Sequence, residues 1–229
     1  MTVGRCGSTA LMRVLQAFPD IATPDKNLAC IDNELLHPGE IRRYAQEYAA
    51  LAHTEINSPG QLMQAFYRHN AGHAYAGFKS MPNRHRHFQH FVAAPDIQFI
   101  TLIRRDIHST VASFLVAMLT GSWRRDGGAQ SVSWTFDPEQ HGAMAASNLE
   151  YVLNSVRQIE SIPNRIALVY EDLCQEDFHS PELDDYFARP VRLENPKPPL
   201  HGSEYVANWP EFHDFLTRQE AHYSHGLDP

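Results

Sequence analysis

Two short segments carry the residue types that bind anions. GRCGST at 4–9 stands directly before a stretch that reads as a helix. Gly4 and Gly7 let the backbone curl tightly and come close to a ligand. The unpaired amides of the following helix point into that curl, and with the helix dipole they favour an anion. Cys6 and Gly7 line the curl, Ser8 and Thr9 add hydroxyl donors, and Arg5 adds a permanent positive charge. Alone, this segment reads equally well as a turn in which Ser8 merely caps a helix. The second segment, IQFITLIRRDIHSTVASF at 97–114, is a buried strand, then Arg104 and Arg105, then a helix with Ser113 two turns in. Arginine at the carboxyl end of a parallel strand sits where open α/β sheets bind ligands. With the helix packed on the sheet, Ser113 and Arg104 can reach one phosphate from two sides. Alone, this segment reads better as a solvated arginine pair and a core serine.

Other chemistries fit these residues less well. A nucleoside-triphosphate P-loop needs a lysine before its serine or threonine, and none precedes Ser8 or Thr9. A cysteine phosphatase places five residues between its cysteine and its arginine, whereas Cys6 and Arg13 have six between them. Cys6 nevertheless sits in an electropositive turn, which favours a reactive thiolate. His85, His87 and His90 invite a metal, but they fall around a helix whose apolar stripe is Phe88, Phe91 and Val92. No cysteine or carboxylate nearby completes a ligand set, so no metal is expected.

The elements that must position the two segments follow from periodicity and caps. Helices are expected at 8–18, 40–53, 59–70, 83–93, 106–119 and 139–162, and strands at 74–79, 97–103 and 165–170. Residues 121–138 read as a polar surface loop, and those beyond 170 as short helices and loops broken by prolines. Strands alternating with helices imply an α/β fold, a central parallel sheet flanked by helices on both faces. With no repeat or low-complexity linker, residues 1–229 read as one domain. The net charge of −8 argues against a nucleic-acid partner and requires that any anion be held by a local cluster of donors. Three sparse cysteines are not a disulfide framework and suit a reducing compartment. No apolar run approaches the ~18 residues that span a bilayer, and Arg5 and Gly7 interrupt any leader. A cytoplasmic protein without membrane insertion is expected.

Together the two segments make the chain resemble the sulfotransferases, most of all the bacterial trehalose-type (carbohydrate) sulfotransferases. In that family an R-S-G-S-T turn cradles the 5′-phosphosulfate of 3′-phosphoadenosine 5′-phosphosulfate (PAPS). An arginine ending a later strand and a serine nine residues on hold the 3′-phosphate. RCGST and the Arg104 to Ser113 spacing match, supported by GFK at 77–79, Trp123–Arg124, VYEDL at 169–173 and NPKP at 195–198. The likeness runs over roughly 4–215. It implies a three-layer P-loop-like fold, PAPS as cosubstrate without a required metal, and a nucleotide site of Arg5, Cys6, Gly7, Ser8, Thr9, Arg104 and Ser113. Two departures stand out. The family has a full strand before the turn where Met1 to Val3 stand here, implying a very short strand or a truncated start. The family's arginine after PKP is missing, leaving Lys197 or His201 to take its place.

The implied reaction is in-line sulfuryl transfer to a hydroxyl of a small acceptor, a sugar or other metabolite. Positioning and electrostatics do most of the work. By resemblance Arg5 stabilises the leaving phosphate. The family's glutamate base, in a Q-E-F-F-like loop after the first helix, corresponds to Glu34 in NELL at 33–36, with Asp25 and Asp32 as alternatives. Competing expectations are a weak or inactive relative that still binds 3′-phosphoadenosine nucleotides, and a P-loop small-molecule kinase. A homodimer stays open.

Overall fold

The computed structural model describes residues 1–3, 5–24, 34–39, 41–82, 92, 94, 96–121, 134–176, 178–193 and 200–225. In chain order its elements are α1 (Ser8–Gln16), β1 (Ile21–Ala22), α2 (Ile41–Ala52), α3 (Pro59–His69), β2 (Tyr75–Ala76), β3 (Ile100–Ile103), α4 (Ile107–Thr120), α5 (Pro138–Glu160), β4 (Ile166–Val169), the single turn α6 (Tyr170–Leu173), α7 (Pro181–Phe187), a 3-10 turn (Gly202–Glu204) and α8 (Trp209–His225). This is a mixed α/β chain with short parallel strands.

Local sequence explains most boundaries. Ser58 accepts from Gln61 N and Pro59 opens α3, a proline tolerated where no amide partner is needed. Asp106 accepts from Ser109 N at the start of α4, and Asp137 from Glu139 N and Gln140 N at the start of α5. Gly121, at φ 69°, ends α4 in the left-handed conformation that glycine adopts without strain.

β1 pairs with β2 and β3 with β4, both parallel, in registers Ile21↔Tyr75 and Ile103↔Val169. The first residues of the chain lie between these pairs. Thr2 N donates to Ser80 O (3.0 Å) and Leu102 N to Met1 O (3.0 Å). Thr2 makes an isolated parallel bridge with Leu102 just ahead of the turn.

The apolar residues form two clusters. The larger holds Leu102, Val111, Leu115, Leu149, Leu168 and Phe212 among others. α4 is apolar on nearly all sides and lies within it, packed on α5, which also carries α8. The smaller joins Leu35 and Leu36 to Tyr44, Leu62 and Phe66 of α2 and α3.

Two expectations are corrected. The region beyond 170 is not only short helices and loops, because α8 runs for 17 residues. Pro210 lies in its first turn, where proline is tolerated, so it opens the helix instead of breaking it. The strand expected over 74–79 is ladder-paired only at Tyr75–Ala76. The helix expected over 83–93, with its three histidines, and most of the 121–138 loop lie outside the described residues. Among the described residues, no helix is long and apolar enough to cross a membrane.

Candidate functional site: an anion turn joined to a buried arginine

Residues 5–7 fold as a strained turn. Arg5 has φ +66° and Gly7 φ +71°, both left-handed. That conformation is ordinary for glycine and costs a residue like arginine roughly 1–2 kcal/mol, so the surrounding structure must hold Arg5 in place. Gly7 is also required by proximity: a Cβ there would stand 2.2 Å from Tyr170 Cε2. Gly7, not Ser8, takes the cap position of α1, and no side chain caps that helix. Ala10 N and Leu11 N bond back to Gly7 O. The amides of Ser8 and Thr9 come before them and have no acceptor within the helix. Their hydroxyls lie on the same first turn, both partly exposed.

The second segment meets this turn directly. Ser113, buried in α4, accepts a 2.9 Å hydrogen bond from Arg5 Nε across 108 positions of sequence. Arg104 follows β3 at its carboxyl end and is 4% exposed, not solvated. Its guanidinium lies 6.0 Å from the centre of the Tyr170 ring, which itself covers Gly7. Its Nη2 donates to Leu200 O. Its Nε is buried without a hydrogen-bond partner among the described residues; the nearest carboxylate oxygen, Glu171 Oε1, is 3.8 Å away.

Arg105 behaves as a surface residue, forked onto Asp172 at 2.8 and 2.6 Å. Glu171 accepts from the amides of Arg105 and Asp106 at 3.1 and 3.2 Å, pinning the start of α4. The YED run at 170–172 thus answers the RRD run at 104–106. The sequence carried this signal as opposite charges just past two buried strands, but it counts only once those strands are neighbours in register.

Cys6 differs from expectation. It is fully buried, and burial pushes its thiol up to about 12, outweighing the nearby Arg104 charge. A thiol this deep stays protonated at neutral pH, so a reactive thiolate is not what the structure holds. Tyr170, half-buried, has its phenol pushed up by burial and is neutral as well. The Tyr170, Arg104 and Cys6 group under the turn is therefore polar but carries one charge, on arginine.

Glu34 opens the described segment 34–39 and is 4% exposed. Its Oε1 lies 3.1 Å from Lys79 Nζ, the lysine of GFK. His201 is exposed and caps the 3-10 turn, accepting from Ser203 N while its own amide donates to Glu204 Oε1 at 2.9 Å. Gly202 N then donates to Ser109 Oγ at 2.7 Å, which ties this stretch to α4 beside Arg104. Gly4, Asp25, Asp32, Trp123, Arg124 and Lys197 lie outside the described residues. Among the described residues, no group of three or more His, Cys, Asp and Glu is placed to hold a metal.

The structure thus joins Arg5 directly to Ser113, brings Gly7 and Arg104 together on Tyr170 with Cys6 buried near Arg104, and pairs Glu34 with Lys79. Of these, Tyr170 and Lys79 were not anticipated as site residues. No protein-family model, no curated protein and no solved structure matches the chain.

Proposed function

We propose that the chain is a sulfotransferase that moves a sulfuryl group from PAPS to a hydroxyl of a small acceptor. The observation that carries this reading is the Arg5 Nε to Ser113 Oγ hydrogen bond. It unites two anion-binding segments that the sequence presents 108 positions apart. The donor set suits a nucleotide with phosphate at both ends. The strained turn offers backbone amides and Arg5, and Arg104 Nε is buried with no hydrogen-bond partner among the described residues, 3.8 Å from Glu171 Oε1. The finer architecture belongs to this proposal: a three-layer P-loop-like fold in which β1, β2, residues 1–3, β3 and β4 lie side by side in that order. The hydrogen bonds from Thr2 to Ser80 and from Leu102 to Met1 support that order.

On this reading Arg5 and the amides of Ser8 and Thr9 stabilise charge growing on the leaving phosphate. Arg104 and Ser113 hold the 3′-phosphate, and Lys197 adds a cation from the later loop. Glu34 takes the proton of the acceptor hydroxyl. Tyr170 keeps water from the underside of the turn and holds Arg104 in its orientation. A second reading, a nucleotide-binding relative without turnover, has one observation in its favour: Leu200 O already occupies Arg104 Nη2.

One experiment tests both. Purified protein is titrated calorimetrically with 3′-phosphoadenosine 5′-phosphate without metal, then assayed for transfer from ³⁵S-labelled PAPS to a panel of sugars and alcohols. Micromolar binding with transfer supports the enzyme, and binding without transfer supports the second reading. No binding, or a preference for ATP, overturns both.

A further inference from the structure

The Glu34–Lys79 pair has a feature that packing alone does not require. Both side chains are nearly enclosed, 5% and 10% exposed, with Nζ 3.1 Å from Oε1. Enclosing two charges costs several kcal/mol per ion before their attraction is counted, so a buried ion pair is poor glue compared with two apolar side chains. Apolar side chains pack close by: Leu35 and Leu36 are buried beside Tyr44, Leu62 and Phe66, and Phe78, next to Lys79, packs on the same cluster.

The position of the pair gives it a use. Lys79 precedes Ser80, whose carbonyl accepts Thr2 N, and Thr2 stands three residues before Arg5 of the turn. The lysine is thus anchored on the segment that runs alongside the approach to the anion turn. Glu34 is anchored at its backbone by the buried Leu35 and Leu36 and by the turn in which His37 N donates to Glu34 O at 3.0 Å.

We infer that Lys79 is a positioning residue for the Glu34 carboxylate. It holds Oε1, and through the planar carboxylate it fixes where Oε2 points. This rests on the sulfuryl-transfer reading. In the transfer step the acceptor oxygen forms the new O–S bond, the old O–S bond breaks with its electron pair passing to the nucleotide phosphate, and Glu34 takes the hydroxyl proton. A carboxylate that swings by an ångström loses the alignment this step needs.

The test compares wild type with Lys79→Met, Lys79→Arg, Glu34→Gln and the double variant Glu34→Gln/Lys79→Met. Transfer from labelled PAPS is measured with trehalose, glucose and glycerol as hydroxyl probes, and 3′-phosphoadenosine 5′-phosphate binding by calorimetry reports folding. Lys79→Met is expected to lower kcat by about 10²-fold, at the lower end of a general-base effect, with donor KM and nucleotide binding unchanged. Lys79→Arg is expected to restore most of the rate. The double variant encloses neither charge and needs no counter-ion to fold, and relative to Glu34→Gln its Lys79→Met change is expected to cost no further rate. An equal loss in both backgrounds, a raised donor KM, or full activity in Lys79→Met overturns the positioning role while leaving the sulfotransferase reading intact. A wild type that transfers to none of the probes while binding the nucleotide overturns the catalytic reading and this inference with it.

Discussion

Replacing Gly7 by alanine tests the geometry on which the anion turn depends. Two separate costs follow from the structure. The backbone at Gly7 has φ +71°, where an added Cβ costs about 1–2 kcal/mol. That Cβ would also stand 2.2 Å from Tyr170 Cε2 and 2.5 Å from Cδ2. The Tyr170 ring does not yield easily, because the buried Arg104 guanidinium lies over it, 6.0 Å from its centre. Displacing a packed group of this kind costs about 1–3 kcal/mol. Gly7→Ala is therefore expected to lose about 2–5 kcal/mol in urea unfolding, with each kcal/mol lowering Tm by about 2–4 °C in a chain of this size. The two costs separate in a double-mutant cycle. In a Tyr170→Ala background the ring is gone, and Gly7→Ala should cost only the backbone part, about 1–2 kcal/mol. A total cost below about 0.5 kcal/mol, or the same cost in both backgrounds, would refute the close approach of Tyr170 to the turn.

Three further outcomes are expected. Arg104→Ala should weaken 3′-phosphoadenosine 5′-phosphate by about 10–150-fold, the equivalent of ~1.5–3 kcal/mol for a charge-assisted bond. It should leave adenosine 5′-phosphate nearly unaffected, and equal losses for both ligands in calorimetry would mean that Arg104 does not read the 3′-phosphate. Cys6 has its thiol raised from the usual 9.0 to about 12 by burial, so its contribution to stability is full below pH 9 and lost as pH rises toward 12. Folded protein should accordingly resist iodoacetamide at Cys6 at pH 8, and rapid labelling of Cys6 detected by mass spectrometry would contradict the burial. His108 lies 3.1 Å from Glu220, yet burial outweighs that carboxylate and lowers its titration below the usual 6.5. Its contribution is present above pH 6.5 and lost as pH falls, so His108→Gln should lose less Tm than wild type between pH 7.5 and 5; an identical loss would remove His108 from the acid response.

The sequence by itself determined the elements whose causes are local. The Ser58–Pro59 start of α3, the Asp106 cap of α4 and the apolar runs that became β3 and β4 are set by dihedral preference, capping and alternation within a few residues. It also singled out the turn at 4–9 and the Arg104 to Ser113 spacing, while leaving open whether they bind an anion or merely cap and fill a helix. The opening of α8 is hidden in the sequence because Pro210 stands among several prolines, although proline in a first helical turn is tolerated by the backbone.

What only the tertiary structure decided is how distant residues use one another. Whether Arg104 or Arg105 faces inward depends on β4 lying beside β3, which puts Tyr170 and Glu171 against one arginine and Asp172 against the other. Whether Cys6 is a thiolate or an inert thiol depends on desolvation by the whole core, which outweighs the arginine that the local sequence advertises. The Arg5–Ser113 and Glu34–Lys79 contacts span 108 and 45 positions, so no periodicity or spacing rule reaches them. They exist because the tertiary fold brings distant segments together, and burial there makes each charge answer to the nearest partner in space.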